Sequence, residues 1–105
     1  MIPPVTYIIQ IGNSDNKLPQ EVWSLFIDDL GKLLAAWKME IHFFGFSNPA
    51  APWQNCCAIF GHPEGRDELE FREELECRLA ELAWKFDQDS IALTYGYTSF
   101  IEAVS

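Results

Sequence analysis

Residues 5–11 read VTYIIQI, a run of β-branched and aromatic residues that stops at Gly12, and this pattern predicts a first strand. After a short polar break the period changes. Val22, Phe26, Leu30, Leu33 and Trp37 recur at steps of four, four, three and four, which predicts a helix with one apolar stripe, and Pro19 is placed to open it. Gly31 falls inside that helix and costs about 1 kcal/mol relative to alanine. Residues 39–46 (MEIHFFGF) and 53–60 (WQNCCAIF) return to strand character around a loop with two prolines, and they read as a hairpin. Asp67 with Glu70 three positions on suits a capping box. Behind it Phe71, Leu75, Leu79, Leu82 and Phe86 form a second helical stripe, which Cys77, Ala80 and Trp84 would widen. Residues 91–95 (IALTY) predict a further strand, and residues 98–102 (TSFIE) a fifth after a Gly96–Tyr97 turn; the alternative is one long strand kinked at Gly96.

The order is therefore β, α, β, β, α, β with the fifth strand as an addition. This is the order of the split βαβ or ferredoxin-like architecture, an α+β antiparallel sheet with two helices on one face. With 105 residues the chain makes a single domain, residues 1–105, around one core. In that topology three polar loops share one end of the sheet. They bring Asn13, Ser14, Asp15 and Asn16 towards Ser47, Asn48, Trp53, Gln54 and Asn55, and towards Asp87, Gln88, Asp89 and Ser90.

Turn formation accounts for Gly12 to Asn16 without any ligand, because Asn, Asp and Ser bond their own backbone and Gly and Asn accept positive φ. The functional alternative is a pocket in which Asn13, Ser14 and Asp15 join the amides of Gln54, Asn55 and Gln88 and the ring of Trp53. Amides supply donors and acceptors together, so such a lining suits a small nucleotide-like or sugar-like ligand. A phosphate group fits less well, since Pro19 removes a backbone donor and Asp15 repels it.

Sixteen acids against seven bases give a net charge of −9, which argues against nucleic acid and anionic membranes as partners. From Glu64 to Asp89 ten acids meet four bases, a net of −6. On the second helix Glu68 with Arg72, Glu74 with Arg78 and Glu81 with Lys85 are each spaced for an ion pair one turn apart. The same face, through Glu68, Glu70, Glu73, Glu74 and Glu81, would engage a protein partner with a basic surface. Three cysteines, Cys56, Cys57 and Cys77, cannot all pair, and neighbours in a strand do not bridge easily, which implies reduced core thiols in a cytoplasmic protein. The opening MIPPVTYIIQIG lacks the basic start of a signal peptide, and no apolar run reaches the ~18 residues of a membrane span.

No catalytic residue, metal or cofactor is expected. Cys57 with His42 or His62 is the available Cys–His combination, but nothing places it in a cleft, and there is no GxSxG. His42 sits in a strand among aromatics and reads as packed. Asp15, Asp87 and Asp89 match no cation loop, and His62 with Cys56 or Cys57 lacks paired zinc-ligand spacing. The two strand faces are both apolar, with Ile41, Phe43, Cys57 and Ile59 on one and Phe44, Phe46, Cys56, Ala58 and Phe60 on the other. The face without helices therefore needs a cover, and a homodimer packed sheet to sheet would supply it.

The segments IGNSDNKL, APWQN and FDQDSIALT resemble those of short proteins encoded by bacteria and their phages or mobile elements. That resemblance implies no activity, catalytic residue or cofactor; it adds weight to the polar loops and makes a phage-type context an expectation. Two functions follow. In the first, a non-enzymatic inhibitor or adaptor engages a host protein through the acidic helix. In the second, the polar loops bind or sequester a small molecule.

Overall fold

The computed structural model describes residues 4–13, 17–37, 39–48 and 54–104. Six elements follow one another: β1 (Val5–Gly12), α1 (Gln20–Ala36), β2 (Ile41–Phe46), β3 (Asn55–Gly61), α2 (Glu68–Lys85) and β4 (Ala92–Tyr97). The strands form one antiparallel sheet in the order β2-β3-β1-β4, so β1 and β3 are interior and β2 and β4 are edges. This is the ferredoxin-like arrangement, with the expected β2–β3 hairpin in place.

Strand alternation sets the core. Tyr7, Ile9 and Ile11 of β1 lie opposite Phe60, Ala58 and Cys56 of β3, and all six are buried. Against them α1 packs Trp23, Phe26, Leu30 and Leu34, and α2 packs Phe71, Leu75, Leu79 and Leu82. The α1 stripe thus differs from the expected one. Val22, Leu33 and Trp37 are only partly buried, because the indole of Trp23, edge-on to Phe26 at 5.7 Å, fills the core in their place. On α2 the stripe is as expected, but Cys77, Ala80 and Trp84 do not widen it; all three are exposed, and Ala83 takes the flanking buried position.

Both ends of α2 are closed by local chemistry. Asp67 accepts from the Glu70 backbone N–H at 3.0 Å, as the capping pattern requires. At the other end Gln88 N–H donates to Ala83 O at 2.9 Å and Asp87 N–H to Trp84 O at 3.2 Å, with Asp87 at φ 53°, a Schellman motif. Of the three expected helical ion pairs Glu68–Arg72 forms, at 3.1 Å. The other two exchange partners: Arg66 takes Glu74 at 2.6 Å, Arg78 takes Glu81 at 2.8 Å, and Lys85 crosses to Asp29 of α1 at 2.6 Å.

No fifth strand forms among the described residues. Gly96 and Tyr97 stay paired with Thr6 and Val5 of β1, so the expected turn is replaced by one continuous strand, and Thr98 N–H still donates to Pro4 O at 2.9 Å. An irregularity between Ile41 and Phe43 shifts the β2 register. Ile41 then pairs with Phe60 and falls on the helix-covered side, away from Phe43, which pairs with Ile59. His42, expected to be packed, is exposed at this bulge with its ring against Gly61.

Gly31 faces the ring of Phe44, whose Cζ would stand 3.7 Å from an added Cβ, an ordinary contact. Gly31→Ala should therefore fit and raise stability by about 1 kcal/mol through helix propensity alone. Urea unfolding of the two proteins checks this; a loss of stability would mean that Phe44 cannot yield to the methyl group.

Candidate functional site

The polar loops do meet. Asn13, only 7 % exposed, receives the Leu18 N–H on its Oδ1 at 3.0 Å, and its Nδ2 donates to Leu18 O at 2.8 Å and to Gln54 Oε1 at 2.9 Å. Its own N–H donates to Gln54 O at 3.0 Å. Asn13 is thus a staple that closes the loop before α1 and ties it to the segment entering β3; both its amide hydrogens are committed. Gln54 passes the contact on to Gln20 at the start of α1. Lys17 links the third loop, with Nζ 3.0 Å from Asp87 O and 3.9 Å from the Asp89 carboxylate. Ser14, Asp15 and Trp53 lie outside the described residues. Gln88 is buried, bonds the Phe86 carbonyl at 3.1 Å, and lines a separate groove beside α2 and β4.

Asn55 faces a different space from Asn13. At the same end of the sheet, a concavity of about 490 Å³ is lined by residues of β1, β2 and β3, among them Gln10, Phe43, Phe46, Ser47, Asn55 and Cys57. Small residues make its floor. Gln10, Cys57 and Gly45 are neighbours across three strands, with Gly12 and Asn55 paired in the next row. The Phe43 ring lies over Gly45, so close that an added Cβ would come within 2.7 Å of its Cζ, and Gly45 is therefore what lets this edge aromatic lie flat. Ser47 Oγ accepts the Asn55 N–H at 2.9 Å, and Ser47 N–H donates to Asn55 O at 2.8 Å, which holds the rim. Phe43, 52 % exposed on the face without helices, stands open beside the Asn55 amide, while Phe46, paired with buried Cys56, turns to the other face of β2 at the rim. Sequence reading missed Gln10, Phe43 and Phe46; a glycine two residues after an exposed-face phenylalanine on an edge strand was the available signal.

A second polar cluster lies inside the helix layer. Tyr7, fully buried, donates its hydroxyl to Glu68 Oε1 at 2.6 Å, and Arg72 Nη1 reaches the same oxygen at 3.1 Å. The Arg72 guanidinium stacks on Tyr95 at 4.4 Å. Burial, then the bond to Glu68, pushes the Tyr7 hydroxyl well above the ordinary phenol range, so it remains a donor. Nearby, His62 lies edge-on to Phe71 at 5.3 Å and its Nε2–H donates to Arg66 O at 2.6 Å.

Charge narrows what either place can hold. Every described Lys and Arg lies within 4 Å of a carboxylate: Lys17, Lys32, Arg66, Arg72, Arg78 and Lys85 are all ion-paired. Three of the five glutamates expected to meet a protein partner, Glu68, Glu74 and Glu81, are in those pairs; Glu70 and Glu73 stand exposed. Among the described residues no group of three or more His, Cys, Asp or Glu could hold a metal ion, and no helix is long and apolar enough to cross a membrane. The three cysteines are free: Cys56 is buried as expected, Cys57 is half-buried at the concavity, and Cys77 is exposed on α2, against the expectation of a core thiol.

No family model and no curated protein matches the chain. Solved structures do share its fold. A phage SAM lyase in complex with S-methyl-5'-thioadenosine matches with a TM-score of 0.58 at 14% identity, over 90% of this chain and 81% of that one. An ACT domain protein from Streptococcus pneumoniae matches with a TM-score of 0.51 at 12% identity, over 99% of this chain and 100% of that one. A dimeric ferredoxin-like protein from an uncultured marine organism gives 0.52 at 12% identity, over 99% of this chain and 95% of that one. At these identities the likeness is one of fold.

Two outcomes check the site geometry. Asn13→Ala removes three side-chain hydrogen bonds and should cost about 1–3 kcal/mol, read as a fall in the urea midpoint with unchanged slope. In thiol labelling of the native protein, Cys77 should react first and Cys57 more slowly. Cys56, whose thiol burial and then the neighbouring Cys57 push up to about 11, should stay unlabelled at neutral pH. Because that value lies above the unfolded one of 9.0, Cys56 leaves stability intact below pH 9 and lowers it as pH rises towards 11.

Proposed function

We propose that the protein binds a small, ring-bearing ligand of the nucleoside or sugar class in the concavity formed by β1, β2 and β3. The observation that carries this reading is the juxtaposition of the open Phe43 ring with the Gln10 and Asn55 amides around a glycine-floored hollow. Rings stack on such surfaces, and amides read the donor and acceptor edge of a base or the hydroxyls of a sugar. The described cations are all paired and the net charge is −9, so the ligand is uncharged or cationic rather than phosphorylated. A phage SAM lyase of the same fold holds a nucleoside thioether, S-methyl-5'-thioadenosine, which supports this ligand class. It also agrees with a phage or mobile-element context. The competing reading, an inhibitor that docks a basic protein on α2, keeps Glu70 and Glu73 as its open contacts and is the weaker for it.

Calorimetric titration and thermal melts with adenosine, S-methyl-5'-thioadenosine, S-adenosylmethionine, adenosine monophosphate and a panel of sugars test the proposal. At least one non-phosphorylated compound should bind and raise the melting temperature, its phosphorylated counterpart should bind more weakly, and Gln10→Ala and Asn55→Ala should each reduce affinity by about tenfold with the melt of the free protein little changed. Absence of binding by every compound, or binding by both variants as tight as by the unaltered protein, would overturn it.

A further inference from the structure

The groove that Gln88 lines lies on the helix side of the sheet, apart from the ligand concavity on the other face. It holds about 480 Å³ between α2 and β4. Leu79, Ala80, Ala83, Ile91 and Leu93 give it an apolar lining, and Trp84, on the same lining, is 85 % exposed. Its two charged lining residues are both carboxylates, Glu76 and Asp89. Asp89 meets Lys17 at 3.9 Å, whereas Glu76 has no ion pair among the described residues. Beyond Leu93, Arg72 stacks on Tyr95 with its charge answered by Glu68 at 3.1 Å.

β4 bounds this groove and is also an edge strand, with no strand on its outer side among the described residues. Natural edges are ordinarily blunted by a charge, a proline or a bulge. The other edge, β2, carries its irregularity between Ile41 and Phe43. β4 has none of the three: it reads ALTYGY and stays in unbroken register with β1 from Ala92 to Tyr97. Such an edge accepts a strand from another chain, and every second side chain of that strand then faces α2.

We propose that the β4 edge and this groove together dock an extended, basic segment of a partner protein. The segment pairs antiparallel with β4, sets two alternate apolar side chains beside Trp84 and places a lysine or arginine against Glu76. Spacing supplies the pattern. Glu76 and Trp84 stand about 12 Å apart along α2 at its rise of about 1.5 Å per residue. That distance matches four positions of a strand at about 3.3 Å each, and side chains four positions apart share a face. α2 runs opposite to β4, since Arg72 near its start meets Tyr95 while Trp84 near its end lines the groove with Ile91. A strand antiparallel to β4 therefore passes Glu76 first, and the segment reads basic, any, apolar, any, apolar. Charge argues for this occupant: the charged lining residues are both acids and the chain carries −9, which attracts a basic segment and repels an acidic one or a second copy of the chain.

Titration of the isotope-labelled full chain with the peptide TKTVTLT, blocked at both ends, tests this by NMR. The peptide should bind with a dissociation constant on the order of 100 μM, shift the Trp84 indole and Leu93 signals, and slow hydrogen exchange at β4 amides. Added salt should weaken it. Two control peptides separate charge from register: TETVTLT reverses the charge, and TKTTVTL keeps the composition but puts the apolar pair out of phase. Each should bind about fivefold more weakly, as should TKTVTLT to the Glu76→Lys variant, and Trp84→Ala should cost about tenfold. Both altered side chains are exposed, so circular dichroism should show the variants folded. No shift at about 1 mM peptide, equal affinity for the three peptides, or an affinity untouched by both variants overturns the proposal. Shifts confined to β2 overturn it too, by moving the docking to the other edge. Ligand binding in the β1–β3 concavity is measured separately and does not depend on any of these results.

Discussion

Tyr7 sits at the point where sheet and helix layer must agree. Its ring stacks on Phe60 at 5.6 Å and meets Phe71 edge-on at 5.2 Å, so it is enclosed by β3 below and α2 above. A phenol so enclosed needs an acceptor, because an unpaired buried hydroxyl costs about 1–3 kcal/mol. Glu68 in the first turn of α2 supplies it and Arg72 one turn later balances the charge. The bond fixes how far α2 slides along β1. With that register set, the Schellman turn delivers Asp87 to Lys17, and the polar loops close on one another at the opposite end of the sheet.

Helices on one side only leave the other face of the sheet to solve its own exposure. Its centre pairs Ile8 with Ile59 and Ile59 with Phe43, moderate apolar surface that the flat Phe43 ring partly shields by lying over Gly45. That device has a second effect. Where the ring stops, the small residues Gly45, Cys57 and Gly12 leave a hollow, and Asn55 and Ser47 brace its rim. Protection of an edge strand and provision of a binding surface are thus one arrangement.

Electrostatics divides the molecule's surface in a related way. Cations are used up in ion pairs, including the Lys85–Asp29 link between the helices, so the surplus of acid is distributed over solvent-facing positions such as Glu70 and Glu73. Exposed pairs of this kind contribute little stability, at most about 1 kcal/mol each. Their larger consequence is the sign of the field, which discourages anionic ligands and keeps copies apart unless apolar contact overcomes the repulsion.

Element order, strand alternation and the α2 stripe were legible in the sequence because periods of two and 3.6 residues are imposed by backbone geometry before any tertiary contact exists. From them the ferredoxin-like order and the meeting of Asn13, Gln54 and the Asp87 loop could be reasoned. Tertiary packing decided the rest. Which of Val22 or Trp23 enters the core, which partner each glutamate finds, and whether Gly96 turns or continues in register all depend on neighbours distant in the chain. The polar loops show the same division: proximity followed from topology, but only packing turned Asn13 inward as a staple and left Asn55 and Gln10 facing an open hollow.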